Sequence, residues 1–370
     1  MTNQHLIGQD WSKANQERGK LINDLVNPTR LATYLADDVP ELRNALPIVS
    51  IERIGQGQSN LTFRVTLTNQ MVILRRPPSG PLPPSAHDVL REFRVMSALL
   101  QSSVPIPRPI AACVDLSVIG VPFYLMEALP GEAIHFDLPP ALATAPIDAR
   151  HSIGEQLVDA LATLHLTDPA AVGLADLGKP THYMARQLRR WKGQLEYART
   201  RPVPNLDWTA EWLERNMPAV VEQPSIVHGD YRLDNVLFSQ EPFPKLLGIV
   251  DWEMATLGDP LADLGWLLAF WREASDPPLE LKILPRIMEL PGFPTRAELT
   301  QRYAERVQHS LPDLRFYIVF ALWKMAVLLE GHWARLVHGT AGDFDFSYLE
   351  TAGPAFAVRI RHTAEERSIV

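Results

Sequence analysis

One local arrangement limits this chain more than any other. Ile226-Val-His-Gly-Asp-Tyr-Arg-Leu-Asp-Asn-Val-Leu-Phe238 is followed by Leu246-Leu-Gly-Ile-Val-Asp-Trp-Glu253. Apolar runs this short, bounded by Gly, Asp and Asn, read as strands rather than helices. They put Asp230 five positions ahead of Asn235 and bring Asp251 in at the end of the last run. A fold that accommodates them must supply a polar loop, a short hairpin and a second polar turn, in that order.

The flanking sequence divides into two kinds of patterning. Residues 10–46 carry Leu21, Leu25, Leu31, Tyr34, Leu35 and Leu42 at mixed helical spacing. From Ile48 the period drops towards two, so Ile48–Ile54, Leu61–Leu67 and Met71–Arg75 are expected as antiparallel strands. A helix is expected over Ala86–Gln101, then strands over Ile110–Val114 and Pro122–Met126. Beyond Gly131 nearly everything except the 226–251 region reads as helix, with stripes over His151–His165 and Tyr183–Thr200 and a strongly apolar Leu314–Val337. The expected fold class is α+β and bilobal: a helical extension over residues 1–47, a small antiparallel-sheet lobe over 48–130 and a larger helical lobe over 131–370. A chain of 370 residues is long enough for both.

The motif order carries a chemical reading. Asp, four residues, Asn, a hairpin and a second Asp is the sequence of a catalytic loop and metal-binding aspartate in phosphoryl transfer. Such a reaction needs a carboxylate to orient and deprotonate the acceptor hydroxyl, and oxygen ligands for the Mg²⁺ that bridges the phosphates. Asp230 is the candidate base and Asn235 its catalytic neighbour. Asn235 and Asp251 are the candidate metal ligands, since Mg²⁺ takes few protein oxygens and fills its shell with phosphate and water. His228 is expected to hold the loop, Asp259 and Asp263 to cap a helix and pin it, and Asp234 to face solvent in the turn. Between the first two strands lies Gly55-Gln-Gly-Gln-Ser-Asn60. That is the position of a phosphate-covering loop, with Gly57, Ser59 and Asn60 as its candidate contacts. Arg75 ends the third strand and Glu92 lies in the following helix; a basic residue paired with a helix carboxylate is one way to hold the α- and β-phosphates. Strand alternation sends Arg75 and Arg76 to opposite faces, so only one can serve, and Arg75 is the choice. No Gly-x-x-x-x-Gly-Lys-Ser/Thr run occurs, which excludes a P-loop NTPase.

From about Ile48 to Gly339 the chain resembles the aminoglycoside phosphotransferase and choline kinase group, which has a protein-kinase-like fold. The resemblance rests on the Gly55–Asn60 loop, Val72–Arg75, Arg91-Glu92, His228-Gly-Asp230 through Asn235, and Ile249-Val-Asp-Trp-Glu253. Within that group it looks most like the kinase domains fused to, or encoded beside, acyl-CoA dehydrogenases, through Gly57–Thr62, Leu74–Pro78, Pro84–His87, Gln187–Trp191 and Gly331, Arg335 and Gly339. The resemblance implies ATP-dependent phosphorylation of a hydroxyl on a small molecule, with a hydroxyacyl-CoA among the candidates. One departure stands out: many relatives carry Lys where this chain has Arg75, and a guanidinium fork is not a point charge. An antibiotic O-phosphotransferase and a nucleotide-binding pseudokinase are the alternatives. Trp252-Glu253 in place of Phe-Gly speaks against a protein kinase.

Composition sets the remaining expectations. A single cysteine, Cys113, excludes an intrachain disulfide and a Cys-built zinc site. A net charge of −8 argues against nucleic acid as a partner. The polar N-terminus shows no secretory signal, and Lys324 interrupts the longest apolar window, Phe316–Leu329. A cytoplasmic location away from membranes is therefore expected. The Tyr183–Arg201 segment carries Arg186, Arg189, Arg190, Lys192, Arg199 and Arg201 against Glu196 alone. It reads as a solvated helix face or as a contact for an anionic substrate.

Overall fold

The computed structural model describes residues 24–55, 60–78, 88–219, 223–276, 281, 284–340 and 345–366. The chain separates into two compact units, residues 1–100 with 106–129, and 101–105 with 130–370.

The first unit is built on a five-stranded antiparallel sheet. Its strands are β1 (Ile48–Ile54), β2 (Leu61–Leu67), β3 (Met71–Arg76), β4 (Pro109–Cys113) and β5 (Phe123–Glu127), in the order β1-β2-β3-β5-β4. Alternation along β2 turns Phe63 and Val65 into a core shared with Leu31 and Leu35 of the Pro28–Asp38 helix. Asn27 starts that helix, its side chain accepting the Arg30 N–H, with proline at the first helical position. Residues 24–47, expected as an extension of their own, thus belong to the sheet's hydrophobic core. β3 is covered on both faces. Val72 and Leu74 enter the core with the N-terminal helices, and Arg75, out of phase with them, meets the Val89–Leu99 helix through Glu92.

The second unit is mainly helical, as the apolar stripes predict. Its centre is the Arg315–Val337 helix, apolar around most of its circumference, which packs against the helices Leu261–Phe270, Leu349–Glu365, Tyr183–Tyr197 and Pro204–Arg215. No helix among the described residues is long and apolar enough to cross a membrane. Two small sheets interrupt the helices. One holds β6 (Gly131–Ala133), β8 (Val236–Ser239) and β9 (Leu246–Ile249) in the order β6-β8-β9, all antiparallel. The other pairs β7 (Ser225–Val227) with β10 (Thr256–Gly258). These sheets hold the ends of the 228–235 and 250–255 loops.

Candidate active site

The loop after β7 is fastened before any catalytic side chain is considered. Gly229 has φ +85°, and a Cβ there would lie 2.9 Å from the Cβ and the carbonyl oxygen of Met254, so only glycine fits. Asp263, in the first turn of the Leu261–Phe270 helix, accepts the His228 N–H at 2.6 Å and the Gly229 N–H at 2.8 Å, one on each oxygen. Burial alone would push the Asp263 carboxyl up. The His165 contact at 3.4 Å, the nearby His228 ring and the Gly229 N–H overcome that and hold it below its ordinary value. Asp259 accepts the Leu261 N–H at 3.0 Å and the Tyr317 hydroxyl at 2.7 Å; burial pushes its carboxyl up. His228 is fully buried: Nε2 faces the Val250 carbonyl at 3.0 Å and Nδ1 the Asp230 N–H at 3.3 Å. With Nε2 donating and Nδ1 accepting, the ring ties the two loops together.

The Asp230 carboxylate is held from both oxygens. The Trp266 indole donates to Oδ1 at 2.8 Å, and the Asn235 amide donates to Oδ2 at 2.9 Å and to the Asp230 carbonyl at 2.8 Å. Arg232 Nε approaches Oδ1 to 3.3 Å, an ion-pair distance without hydrogen-bond alignment. Asn235 ends a short 3₁₀ turn, Leu233–Asn235, and its carbonyl accepts the Val250 N–H at 3.0 Å. The β8–β9 register, Val236 opposite Ile249, therefore sets Asn235 opposite Val250, the residue before Asp251. Asp251 takes a left-handed conformation, φ 67°, uncommon for a residue other than glycine and frequent at functional turns.

The donor set fits a hard divalent cation. Asn235 uses its amide nitrogen on Asp230, leaving its oxygen as the ligand atom, and Asp251 adds a carboxylate. Two oxygens from protein suit Mg²⁺. Among the described residues no three His, Cys, Asp or Glu side chains gather as a cage for a softer metal. Asp234 is not the solvent-facing turn residue expected from the sequence. It pairs with Arg232 at 2.9 Å, and burial pushes its carboxyl up.

A second constellation lies in the sheet unit. Glu92 is 1% exposed and accepts from Asn60 Nδ2 on Oε1 and from the Tyr124 hydroxyl on Oε2 at 3.1 Å. Arg75 Nε stands 2.9 Å from the same Oε2, and another Arg75 nitrogen donates to Thr62 at 3.1 Å. Arg76 points the other way and donates to the Leu25 and Pro77 carbonyls. Of the predicted loop contacts, Gly57 and Ser59 lie outside the described residues. Asn60, expected to face phosphate, is buried and directs its amide nitrogen to Glu92.

Two residues here escape sequence reasoning. Trp266 holds Asp230, and Lys324, 6% exposed, donates to the Gly229 carbonyl at 3.1 Å. Lys324 left a signal: it is the lone charge in the Phe316–Leu329 window, and a charge kept inside an apolar helix implies a purpose for it.

The chain is similar to known proteins on both levels. Mouse acyl-CoA dehydrogenase family member 10 is 36% identical over 293 residues, 78% of this chain and 27% of that protein. The chain thus spans only about a quarter of that relative's length. Among solved structures, a candidate aminoglycoside phosphotransferase of Ralstonia eutropha superposes with a TM-score of 0.76 at 31% identity, over 91% of this chain and 98% of that one. The GDP complex of aminoglycoside 2'-phosphotransferase-IIIa shares the fold at a TM-score of 0.60 and 18% identity, over 91% and 99% of the two chains. Residues 50–286 match the profile of the phosphotransferase enzyme family, which spans both the Arg75–Glu92 pair and the Asp230–Asp251 loops, and the chain belongs to that family.

Proposed function

We propose that this protein transfers the γ-phosphoryl group of ATP, with Mg²⁺, to a hydroxyl of a small molecule, and that hydroxyacyl-CoAs are its acceptor class. The observation carrying the transfer reading is the Asp230 carboxylate held from both oxygens by Trp266 and Asn235. A carboxylate so fixed has lone pairs left to accept a hydroxyl hydrogen while it cannot swing away. Asp230 orients the acceptor oxygen and takes its proton as the new O–P bond forms and the bond to the ADP oxygen breaks. Asn235 and Asp251 would hold the metal. When bound, Mg²⁺ neutralises charge on the phosphate oxygens. In the sheet unit, Arg75, set by Glu92, is the candidate phosphate contact.

The acceptor class is supported by the name of the mouse relative, an acyl-CoA dehydrogenase family member. The basic 183–201 segment supports it less than its composition promised. Arg199 pairs with Glu196 and Asp207, Lys192 with Glu214 and Arg201 with Glu330, while Arg189 and Arg190 stay exposed. We place neither nucleic acid nor membrane among its partners, and a cytoplasmic setting agrees with the free, buried Cys113.

The test is incubation with ATP and Mg²⁺ against hydroxyacyl-CoAs and aminoglycosides, with phosphorylated product detected by mass. Product from acyl-CoAs is expected. Product from aminoglycosides alone would sink the acceptor class, and ATP binding without transfer to any alcohol would favour a pseudokinase. Asp230→Asn is expected to lower turnover by about 10²–10⁴ with little change in ATP affinity.

A further inference from the structure

We propose that Lys324 is a positioning residue of the transfer site, holding the Gly229 carbonyl and the Trp266 indole so that the Asp230 carboxylate keeps one orientation. The inference rests on the reading of Asp230 as the group that meets the acceptor hydroxyl.

Lys324 sits midway along the Arg315–Val337 helix among Phe320, Ala321, Trp323, Met325 and Val327, all buried. An ammonium in such surroundings is costly unless its charge and its donors are met. Its ordinary answer would be a carboxylate, yet among the described residues none lies within ion-pair distance. What meets Nζ instead is the Gly229 carbonyl at 3.1 Å and two indole faces, Trp266 at 4.0 Å and Trp191 at 5.4 Å. Both nearer contacts end on the same carboxylate. Gly229 is the residue before Asp230, and Trp266 donates its indole N–H to Asp230 Oδ1 at 2.8 Å. The ammonium thus reaches Asp230 once through the backbone and once through a ring. A methionine would fill this position without burying a charge. The lysine is therefore poorly explained by stability and well explained by the orientation of Asp230.

Protonation adds a distinguishing signature. Burial pushes the Lys324 ammonium down to about 8; Asp230 on the loop and Asp263 on the Leu261–Phe270 helix push it up, while Arg190 and Arg232 push it down. The group is charged below that pH, so its contribution to turnover declines as pH rises through about 8. Its contribution to stability runs the other way. An unfolded lysine holds its proton up to about 10.5, so between the two values the unfolded chain binds more protons and stability rises with pH. A merely structural lysine would not oppose activity to stability in this window.

The experiment uses the full chain with ATP and Mg²⁺, the accepted alcohol or, without one, water as acceptor. It compares wild type, Lys324→Met, Lys324→Gln and Trp266→Phe. Lys324→Met is expected to melt at or above the wild-type temperature at pH 7, to lose about 10- to 100-fold in kcat with KM for ATP nearly unchanged, and to lose the decline near pH 8. Trp266→Phe, which keeps a ring beneath the ammonium and deletes only the donor to Asp230, is expected to lose kcat likewise. If Lys324→Met does not fold, Lys324→Gln replaces it, keeping a donor for Gly229 but no charge, and is held to the same kcat and pH criteria. A kcat for the folded Lys324 variant within about twofold of wild type, or an unaltered pH profile, overturns the inference. Asp230→Asn, measured alongside, separates the two claims: if it leaves turnover intact the transfer reading fails, whereas a dead Asp230→Asn beside a fully active Lys324→Met removes only the role given to Lys324.

Discussion

Replacing Asp263 by asparagine tests how the loop is held. The substitution keeps shape and removes charge. At present the two carboxylate oxygens accept the His228 N–H at 2.6 Å and the Gly229 N–H at 2.8 Å, in a residue 1% exposed. An asparagine offers one oxygen and one NH₂, so whichever way it turns, at least one of these backbone N–H groups faces another donor. Leaving a buried donor unmet costs about 1–3 kcal/mol, and exchanging a charge-assisted bond for a neutral one costs about 1 kcal/mol more. The total, roughly 3 kcal/mol, corresponds to a fall of roughly 6–12 °C in Tm for a unit of this size. Because Asp263 titrates below its ordinary value in the folded protein, its stabilisation is present above the unfolded carboxyl pKa and is lost as pH falls through the folded one. The melting temperatures of Asp263→Asn and wild type should therefore differ fully above about pH 4 and begin to converge only as pH falls below it. Differential scanning fluorimetry across pH 3–7, paired with kcat at pH 7, measures both effects. Equal melting temperatures at pH 7 together with unaltered turnover would refute the view that this carboxylate holds the loop.

Two further perturbations probe other parts of the molecule. Glu92→Ala strips a buried partner from Arg75, Asn60 and Tyr124, and should destabilise the sheet unit by about 3–5 kcal/mol and raise KM for ATP. Urea unfolding and ATP titration check it, and an unmoved midpoint would show that Arg75 needs no partner. Arg201→Met leaves Glu330 buried without its bidentate partner at 2.7 and 3.0 Å and frees the Leu349 and Glu350 carbonyls. A loss of about 3–5 kcal/mol is expected in the same assay, with kcat of the folded fraction preserved.

Much of the fold was legible because its signals are local. The β-strands over 48–54, 61–67 and 71–76 appear where the period is two, and the long helices appear where apolar stripes recur. Boundaries moved by a few residues: the helix expected over 86–101 is described as Val89–Leu99, and the one over 183–200 ends at Tyr197. The 24–47 segment could not be assigned to the sheet's core from its pattern. An amphipathic helix declares that it buries a face, and says nothing of what it buries that face against.

The candidate site divides in the same way. Asp230 and Asn235 lie five positions apart in one loop, so spacing alone implies that they meet, and the hairpin returns the chain to Asn235 at Val250, one residue before Asp251. Arg75 was separated from Arg76 by strand alternation, a two-residue rule. The Asn60–Glu92 contact was not legible because the partners are 32 residues apart, nor was the Arg232–Asp234 pair, because solvent exposure is a property of packing. What the sequence determined by itself is the order of secondary structure, the spacing of the loop carboxylates and the family to which the chain belongs. Only the tertiary structure decided that Trp266 holds one oxygen of Asp230, that Asp263 holds the loop, and that a lone lysine in an apolar helix lies beneath Gly229. Contacts between residues tens of positions apart depend on how helices pack, and that packing is set by the whole core rather than by any local run of side chains.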